Sequence, residues 1–295
     1  MKTRIITGLV AALMPVAALL FVDTPLLGIL CVIFGAMACY EICHVAQIKN
    51  KAMVALATAV AAMVAPTLEY KLLERLRVPP WFLLLVYVFL LVILMLAQFE
   101  KTRFEHMLYA LLASLGAPAA ISMIVVIRDV IHERAGAAYE SNLAVYMLFL
   151  TCCCAWLTDV FAYFAGSKLG RHKLCPKISP KKTWEGAIGG VLGTALVNVG
   201  FAALFNAFFL KGYALNLLWI GLVSVPICVV GIIGDLVASA LKRSYGAKDF
   251  GHLFPGHGGV MDRLDSFSYA APFMFSLLQL ETSMGIEIFY RVVSV

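Results

Sequence analysis

Four polar residues in the second half of the chain are spaced so that they would share one face of a helix. Asp235, Ser239, Lys242 and Arg243 are separated by offsets of four, seven and eight residues, which form one stripe. The residues around Asp235 are apolar enough to lie in a bilayer, where a carboxylate must face a cation, a metal ion or a polar cavity. The stripe therefore predicts a site for phosphate and metal chemistry in preference to a buried structural ion pair.

The segment that follows, residues 248–266, combines turn-forming residues with charged side chains and fits no amphipathic helix. Proline and glycine residues around His257 would let backbone amides turn inward toward an anion. His257 itself could bind a metal, donate to a phosphate or pack within the loop. Lys248 opens the segment, and the turn residues are Pro255, Gly256, Gly258 and Gly259.

Three carboxylates in this part of the chain could bind one or two magnesium ions. Asp262 and Asp265 lie three residues apart and share a helical face, and Asp235 would join them from the preceding span. Magnesium favours a few carboxylate oxygens together with substrate phosphates and water, and two ions can bind both the attacking and the leaving oxygens of a displacement. The alternative is a polar loop in which Asp262 pairs with a Lys or Arg side chain.

A second polar loop, residues 166–190, is rich in cations and glycines. Its lysines could hold a polyphosphate, and the start of the following helix would present unpaired amides to an anion. A basic loop that only fixes membrane topology explains the charge equally well. Just upstream, Asp159 stands in an apolar span and shares a helical face with Tyr163. The candidate substrate-binding residues of the loop are Ser179, Lys181, Lys182 and Thr183.

The elements that must position these residues are membrane helices, because the chain is 62% hydrophobic and only 14% charged. We expect an all-α fold with one polytopic integral membrane domain, residues 1–295, and about nine spans of roughly 20 apolar residues. Residues 1–141 would supply spans of unassigned role, and residues 142–295 the catalytic half, with cytoplasmic loops at about 166–186 and 242–266. The predicted spans are residues 5–22, 26–45, 53–70, 81–98, 107–127, 143–165, 187–210, 215–241 and 267–290.

The distribution of basic residues predicts the orientation. With the N-terminus in the cytoplasm, most Lys and Arg residues fall on the cytoplasmic side, in keeping with the positive-inside rule. The net charge of +6 is concentrated in two membrane-proximal loops that would meet lipid headgroups or nucleotide phosphates, which argues against nucleic-acid binding. The eight cysteines form no CxxC pair, and helix packing explains them better than a disulfide or a metal site.

The polar segments resemble a known family, the phosphatidate cytidylyltransferases, also called CDP-diacylglycerol synthases. The resemblance covers residues 158–266 and includes the segments TDVFAYFAGSKLG and ISPKKTWEGAIGG and a long signature with the family's spacing. The signature positions are Ser239, Lys242, Arg243, Lys248, Asp249, Gly251, Phe254, Pro255, His257, Gly258, Gly259, Asp262, Arg263 and Asp265.

The resemblance implies a magnesium-dependent membrane enzyme that transfers CMP from CTP to phosphatidate and releases pyrophosphate. A monovalent cation could accompany the magnesium. The metal-linked acids would be Asp235, Asp262 and Asp265, with Ser239, Lys242, Arg243 and Arg263 at phosphates. The remaining substrate-binding residues would be Asp159, Ser179, Lys181, Lys182, Thr183, Lys248, His257, Gly258 and Gly259, of which Lys181, Lys182 and Thr183 would clamp the triphosphate and Asp159 would contact metal or ribose.

The substrates predict the setting, because CTP is cytosolic and phosphatidate presents its phosphate at the membrane surface. We expect the active site at the cytoplasmic face of a bacterial inner membrane, with an organelle membrane as the other location and a homodimer as one open oligomeric state. Two rival functions are a CTP-dependent lipid kinase and an ion transporter in which the polar stripe at 235–243 lines a permeation path.

Overall fold

The computed structural model describes residues 19–135, 141–210, 212–253 and 258–292. The helices are α1 (Pro25–Val45), α2 (Lys51–Glu69), α3 (Leu72–Arg75), α4 (Pro80–Ala97), α5 (Phe104–Ala135), α6 (Ser141–Leu169), α7 (Trp184–Phe208), α8 (Leu217–Ser244), α9 (Met261–Leu264) and α10 (Phe267–Met284). The strands are β1 (Lys173–Cys175), β2 (Ser179–Thr183), β3 (Tyr213–Leu215) and β4 (Tyr290–Val292).

Among the described residues, seven helices are long and apolar enough to cross a membrane, namely α1, α2, α4, α5, α6, α7 and α8. Each overlaps a predicted span, so the polytopic all-α class is confirmed. The predicted span 5–22 lies almost wholly outside the described residues. The predicted span 267–290 is shortened, because α10 ends where Gly285 takes a left-handed φ of 65°. The count of nine and the orientation of the N-terminus stay predictions.

The chain folds as two compact units. The first unit contains Thr24–Val126 and Leu241–Leu264, and the second contains Ile127–Ala240 and the chain from Asp265 onward. In the first unit α1 packs along α2, and in the second α6 packs along α7. Because α8 crosses the boundary after Ala240, its last turn belongs to the first unit and the rest of the helix to the second.

Two short antiparallel hairpins belong to the second unit. Strands β1 and β2 pair with Lys173 opposite Thr183, and strands β3 and β4 pair with Tyr213 opposite Val292. The first hairpin lies inside residues 166–190, where the sequence indicated a polar loop. It leads directly into α7, whose first turn is capped by Thr183: its Oγ1 accepts a hydrogen bond from the Gly186 amide at 3.1 Å.

Glycines allow α6 and α7 to approach each other closely. A Cβ added to Gly190 would lie 2.6 Å from the carbonyl oxygen of Thr158, and one added to Gly186 would lie 2.8 Å from that of Ala162. Gly186 and Gly190 are four residues apart, the spacing that brings small residues to one helix interface in membranes. The close packing places β2 beside α6, the helix that carries Asp159.

Gly190→Ala is expected to destabilise the protein by about 1–3 kcal/mol, because the new methyl group overlaps the backbone of α6. Gly200→Ala in the same helix is the matched control, since nothing lies within 4 Å of a Cβ at that position. Thermal unfolding of the detergent-purified variants measures both effects. Equal melting temperatures for the two variants would contradict the close approach of α6 and α7.

Candidate active site

The second unit brings Lys182, Asp159 and Asp235 together. Lys182, near the end of β2, forms an ion pair with Asp235 of α8, and its Nζ lies 3.5 Å from Oδ1 of Asp159 on α6. Ser239 Oγ donates a hydrogen bond to Asp235 Oδ1 at 3.3 Å, which agrees with the predicted stripe on α8. We call Lys182, Asp159, Asp235 and Ser239 the Lys182 cluster.

The carboxylates control the charge of Lys182. Burial alone would lower the pKa of the Lys182 ammonium, but the negative charges of Asp159 and Asp235, with a smaller contribution from Asp265, raise that pKa above its usual value. Lys182 is therefore charged at neutral pH. One ammonium against two carboxylates gives the Lys182 cluster a formal negative charge, which favours a further cation over a bare phosphate.

A cavity of about 400 Å³ is lined by three members of the Lys182 cluster. Asp159, Lys182 and Asp235 form part of its wall, together with Ser179 and Lys181 of β2. The volume lies within the range of small-molecule sites, and the polar groups converge from α6, β2 and α8. The four predicted substrate-binding residues of the basic loop thus all line this cavity, where they could meet a substrate, namely Ser179, Lys181, Lys182 and Thr183.

The hairpin that presents Lys182 is fixed by contacts within the second unit. A Cβ on Gly166 or Gly170 would lie 2.9 or 2.8 Å from Thr183 Oγ1, so Thr183 fills a space that glycines leave open. Glu185 accepts hydrogen bonds from the amides of Arg171 and His172 at 3.1 and 3.2 Å. The glycines, Thr183 and Glu185 therefore have a structural role in holding the hairpin. A direct contact between Thr183 and substrate stays a prediction.

Asp265 also belongs to the second unit. Its side chain is buried, and its Oδ1 accepts a hydrogen bond from the Ser266 amide at 2.8 Å. Since its charge contributes to the raised pKa of Lys182, Asp265 lies within electrostatic reach of that ammonium. Two of the three predicted metal-binding acids, Asp235 and Asp265, therefore act on the same lysine.

The third acid, Asp262, lies in the first unit and is paired with Lys242. Lys242 Nζ donates to Asp262 Oδ1 at 2.6 Å, and the two side chains are only 8% and 5% exposed. Asp262 Oδ2 accepts hydrogen bonds from the amides of Phe250 and Gly259 at 2.7 and 2.9 Å. Asp262 thus holds the segment after α8 in a closed loop, and we call residues 258–262 the Asp262 turn.

Gly258 shows why the Asp262 turn contains glycine. Its φ is +84°, and a Cβ at this position would lie 2.8 Å from Asp262 Oδ2. Because of the positive φ and the nearby carboxylate, a larger residue could not take this position without strain. Gly258 and Gly259 were predicted from the sequence and lie in the turn, whereas His257 lies outside the described residues.

A second cavity, of about 640 Å³, lies within the first unit. Lys248 of the signature lines it together with His44, Lys49 and His252. Sequence spacing does not indicate that His44 and His252 line one cavity, because the two residues lie far apart in the chain. Arg243 is exposed and donates to the Ala247 carbonyl oxygen at 2.9 Å, and Arg263 is also exposed.

Glu41 of α1 is a buried carboxylate that the sequence-based prediction omitted. It lies in an apolar span, so the signal that singled out Asp159 could also have found it. Its oxygens accept hydrogen bonds from the amides of Val260 and Met261, which connects α1 to the Asp262 turn within the first unit.

The acids have oxygen donors of the kind that magnesium prefers. Among the residues that the structure describes, no group of three or more His, Cys, Asp or Glu side chains could hold a metal ion. Within the units the acids instead face ammonium groups, with Asp262 on Lys242 and Asp235 on Lys182. The magnesium site predicted from Asp235, Asp262 and Asp265 stays a prediction.

The seven long apolar helices of the described residues define a polytopic membrane protein, which carries a partly buried ion pair at Lys182 and a buried one at Lys242. A family model described as "Cytidylyltransferase family" matches residues 2–281. The chain belongs to this cytidylyltransferase family.

Three similar proteins carry the name phosphatidate cytidylyltransferase. The chain is 32% identical over 281 residues to a phosphatidate cytidylyltransferase of Bacillus subtilis (strain 168), covering 95% of this chain and 98% of the relative. It is 29% identical over 235 residues to a phosphatidate cytidylyltransferase of Rickettsia bellii (strain RML369-C), covering 79% and 94%. A phosphatidate cytidylyltransferase of Staphylococcus haemolyticus (strain JCSC1435) is 43% identical over 123 residues, or 42% of this chain and 45% of the relative.

Proposed function

We propose that this protein transfers CMP from CTP to phosphatidate, forming CDP-diacylglycerol and pyrophosphate. The observation that carries the proposal is the family match over residues 2–281, together with a relative of that name aligned over 95% of the chain. The ion pairs of Lys182 and Lys242 support it, because both lie in segments that resemble the phosphatidate cytidylyltransferases.

In this reaction a phosphate oxygen of phosphatidate attacks the α-phosphorus of CTP. A new phosphorus–oxygen bond forms, the bond from the α-phosphorus to the oxygen that bridges it to the β-phosphorus breaks, and its electron pair leaves with pyrophosphate. No protein nucleophile is needed. Because two anions must meet, the protein's main tasks are to position them and to offset their charge in the transition state.

The described residues suit these tasks. Lys182 is charged and lines the 400 Å³ cavity, so we assign it, with Lys181 and Ser179, to the triphosphate of CTP. The buried Lys242 is held by Asp262 and would offset phosphate charge, as would the exposed Arg243 and Arg263. The other residues that we place near substrate are Asp159, Thr183, Ser239, Lys248, His257, Gly258 and Gly259.

Magnesium fits the chemistry of the donor set. Asp235, Asp262 and Asp265 offer carboxylate oxygens, and the formal negative charge of the Lys182 cluster suits a metal-bound phosphate better than a free one. We propose that these acids hold one or two magnesium ions. A bound magnesium ion would neutralise phosphate charge and polarise the phosphorus that is attacked.

We place the reaction at the cytoplasmic face of a bacterial inner membrane. CTP is a cytosolic nucleotide, and the basic segments at 166–190 and 242–266 would lie on that face under the positive-inside rule. The relatives from Bacillus subtilis and Rickettsia bellii are bacterial proteins, which agrees with this membrane. Phosphatidate would present its phosphate there with its acyl chains still in the bilayer.

CTP labelled in either the α- or the γ-phosphate tests the proposal. Detergent-purified protein with phosphatidate and magnesium should move the α-label into lipid and the γ-label into pyrophosphate. Entry of the γ-label into lipid would identify a lipid kinase and reject the transferase. Absence of both labelled products from folded protein would reject CTP chemistry altogether.

A further inference from the structure

Glu41 is a buried carboxylate on α1 that contacts the signature segment within the first unit. The residue is 7% exposed. Oε1 accepts a hydrogen bond from the Val260 amide at 2.9 Å, and Oε2 accepts one from the Met261 amide at 2.8 Å. Both amides lie at the start of α9, where no helical carbonyl can accept their hydrogens. Glu41 therefore supplies what the short helix lacks.

Two signature glycines make room for this carboxylate. A Cβ on Gly251 would lie 2.3 Å from Glu41 Oε1, and a Cβ on Gly259 would lie 2.3 and 2.4 Å from Oε1 and Oε2. Neither glycine has a positive φ, so their backbone conformation does not demand glycine. The space taken by Glu41 explains both positions, although more than two hundred residues separate it from them.

The turn that Glu41 holds is also the one that Asp262 closes. Asp262 follows Met261 directly, pairs with Lys242, and accepts the amides of Phe250 and Gly259. Glu41 thus binds the amides of Val260 and Met261, and Asp262 binds the adjacent amide of Gly259, so both carboxylates fix the same turn. If the contacts of Glu41 are lost, the Asp262 turn loses two of the hydrogen bonds that fix its backbone, and the direction of the Asp262 carboxylate is fixed less well.

We propose that Glu41 is a positioning residue for the reaction: from the N-terminal half of the chain it fixes the Asp262 turn and thereby aims the Lys242–Asp262 pair. This inference rests on the function proposed above for that pair. Glu41 is buried and both its oxygens accept amide hydrogens, so it acts through the turn and not by contact with substrate. It gives the first unit's α1, a span of unassigned role in the sequence, a part in catalysis.

Glu41→Gln tests the proposal, because an amide side chain turns one donor toward a backbone N–H that needs an acceptor. We expect kcat to fall about 10- to 100-fold, with KM for CTP changed much less, as for other partners that orient catalytic groups. Glu41→Asp keeps the charge and should recover part of kcat. Hydrogen–deuterium exchange of the amides at 258–264 should be faster in Glu41→Gln than in the unsubstituted protein.

Glu281→Gln is the matched control. Glu281 is 6% exposed, its Oε1 accepts the amides of Ile288 and Phe289 at 2.8 and 3.0 Å, and its Oε2 pairs with Arg134 at 2.9 Å, so it too is a buried carboxylate that holds a backbone segment, here in the second unit. Its substitution should lower the melting temperature but leave kcat per folded molecule and exchange at 258–264 unchanged. Equal losses of kcat in the two variants, each in proportion to unfolding, would reduce Glu41 to a structural residue and overturn the proposal.

Gly259→Ala provides a second test that does not remove the carboxylate. The new methyl group would push Glu41 away from its amides, so Gly259→Ala should resemble Glu41→Ala in kcat. The double variant, Glu41→Ala with Gly259→Ala, should have a kcat only slightly lower than that of either single variant, because the two changes break the same contact. Additive losses would overturn the proposal.

The exchange measurement separates this inference from the proposed function. If the unsubstituted protein forms no CDP-lipid but Glu41→Gln still speeds exchange at 258–264, the assigned reaction fails and the hold of Glu41 on the turn is supported. If CDP-lipid forms and Glu41→Gln alters neither kcat nor exchange, the function is supported and the positioning role is overturned.

Discussion

Asp262→Asn is expected to lower kcat by at least about 10²- to 10³-fold, the usual cost of removing one electrostatic stabiliser from an active site. Asp262 Oδ1 receives Lys242, and Oδ2 receives two backbone amides. An asparagine in the same place must turn its NH₂ group toward either the ammonium or the backbone amides. In both orientations one hydrogen-bond donor faces another. The side chain would therefore lose its direction as well as its charge.

The same substitution also affects folding, because it leaves the Lys242 ammonium buried without its partner. Breaking a buried pair from one side costs about 3–5 kcal/mol, whereas replacing both partners by apolar residues is often neutral. Lys242→Met combined with Asp262→Leu removes both charges but leaves the amides of Phe250 and Gly259 without their acceptor, so it should regain only part of the lost stability and still form no CDP-lipid. Labelled product per folded molecule, with melting temperature measured in parallel, separates the two effects.

Asp129→Asn is the control for Asp262→Asn. It breaks the ion pair of Asp129 with Arg128, 2.8 Å apart on α5, without touching the signature. This control should keep kcat. Full activity in Asp262→Asn, or in the doubly apolar variant, would show that the Lys242–Asp262 pair serves folding alone.

The membrane helices were predictable because a bilayer imposes one length and one polarity on every span. The ends were less predictable. Helix α6 continues to Leu169 and α8 to Ser244, past the predicted ends at 165 and 241, and each extension carries basic residues. Lysine and arginine can stay within a helix and still reach the interface through their long side chains, so a charge does not mark the last helical residue.

Within the candidate site, contacts set by helical spacing were predictable and contacts set by tertiary packing were not. Asp235 and Ser239 are four residues apart on one helix, and their hydrogen bond follows from that spacing. The pairing of Lys182 with Asp235 depends on the β1–β2 hairpin and on the close packing of α6 and α7. Nothing in the local sequence of either residue specifies the other.

Glu41 shows a different limit. A carboxylate in an apolar span indicates a functional site, but the prediction was based on the polar loops of the second half of the chain and did not include Glu41. The glycines at 251 and 259 were interpreted as signature positions, and their physical reason appears only when α1 lies against the turn. A glycine pattern indicates that something comes close, but the sequence does not say what.

Lys182→Met is expected to lower kcat/KM for CTP on the order of 10²-fold or more, because it removes the cation from a cluster with two carboxylates. Asp159 and Asp235 would then face the triphosphate without an ammonium between, and their repulsion should raise KM and lower kcat. Lys182→Arg should retain part of the activity, since it keeps the charge. Steady-state kinetics over a range of CTP concentrations measure both parameters.

Lys181→Met is the graded comparison, because Lys181 lines the same cavity but is exposed to solvent. Water and salt screen an exposed cation, so the loss of Lys181 should lower kcat/KM much less than the loss of Lys182.

The raised pKa of Lys182 adds a pH dependence with a definite sign. Stability from a raised lysine pKa is complete below the pKa of the unfolded chain and is lost only as pH rises through the folded value, so Lys182 should stabilise the protein through neutral and mildly alkaline pH. The difference in free energy of unfolding between the unsubstituted protein and Lys182→Met should therefore be constant around neutral pH and shrink only at strongly alkaline pH. A difference that vanished near neutral pH would contradict the paired ammonium.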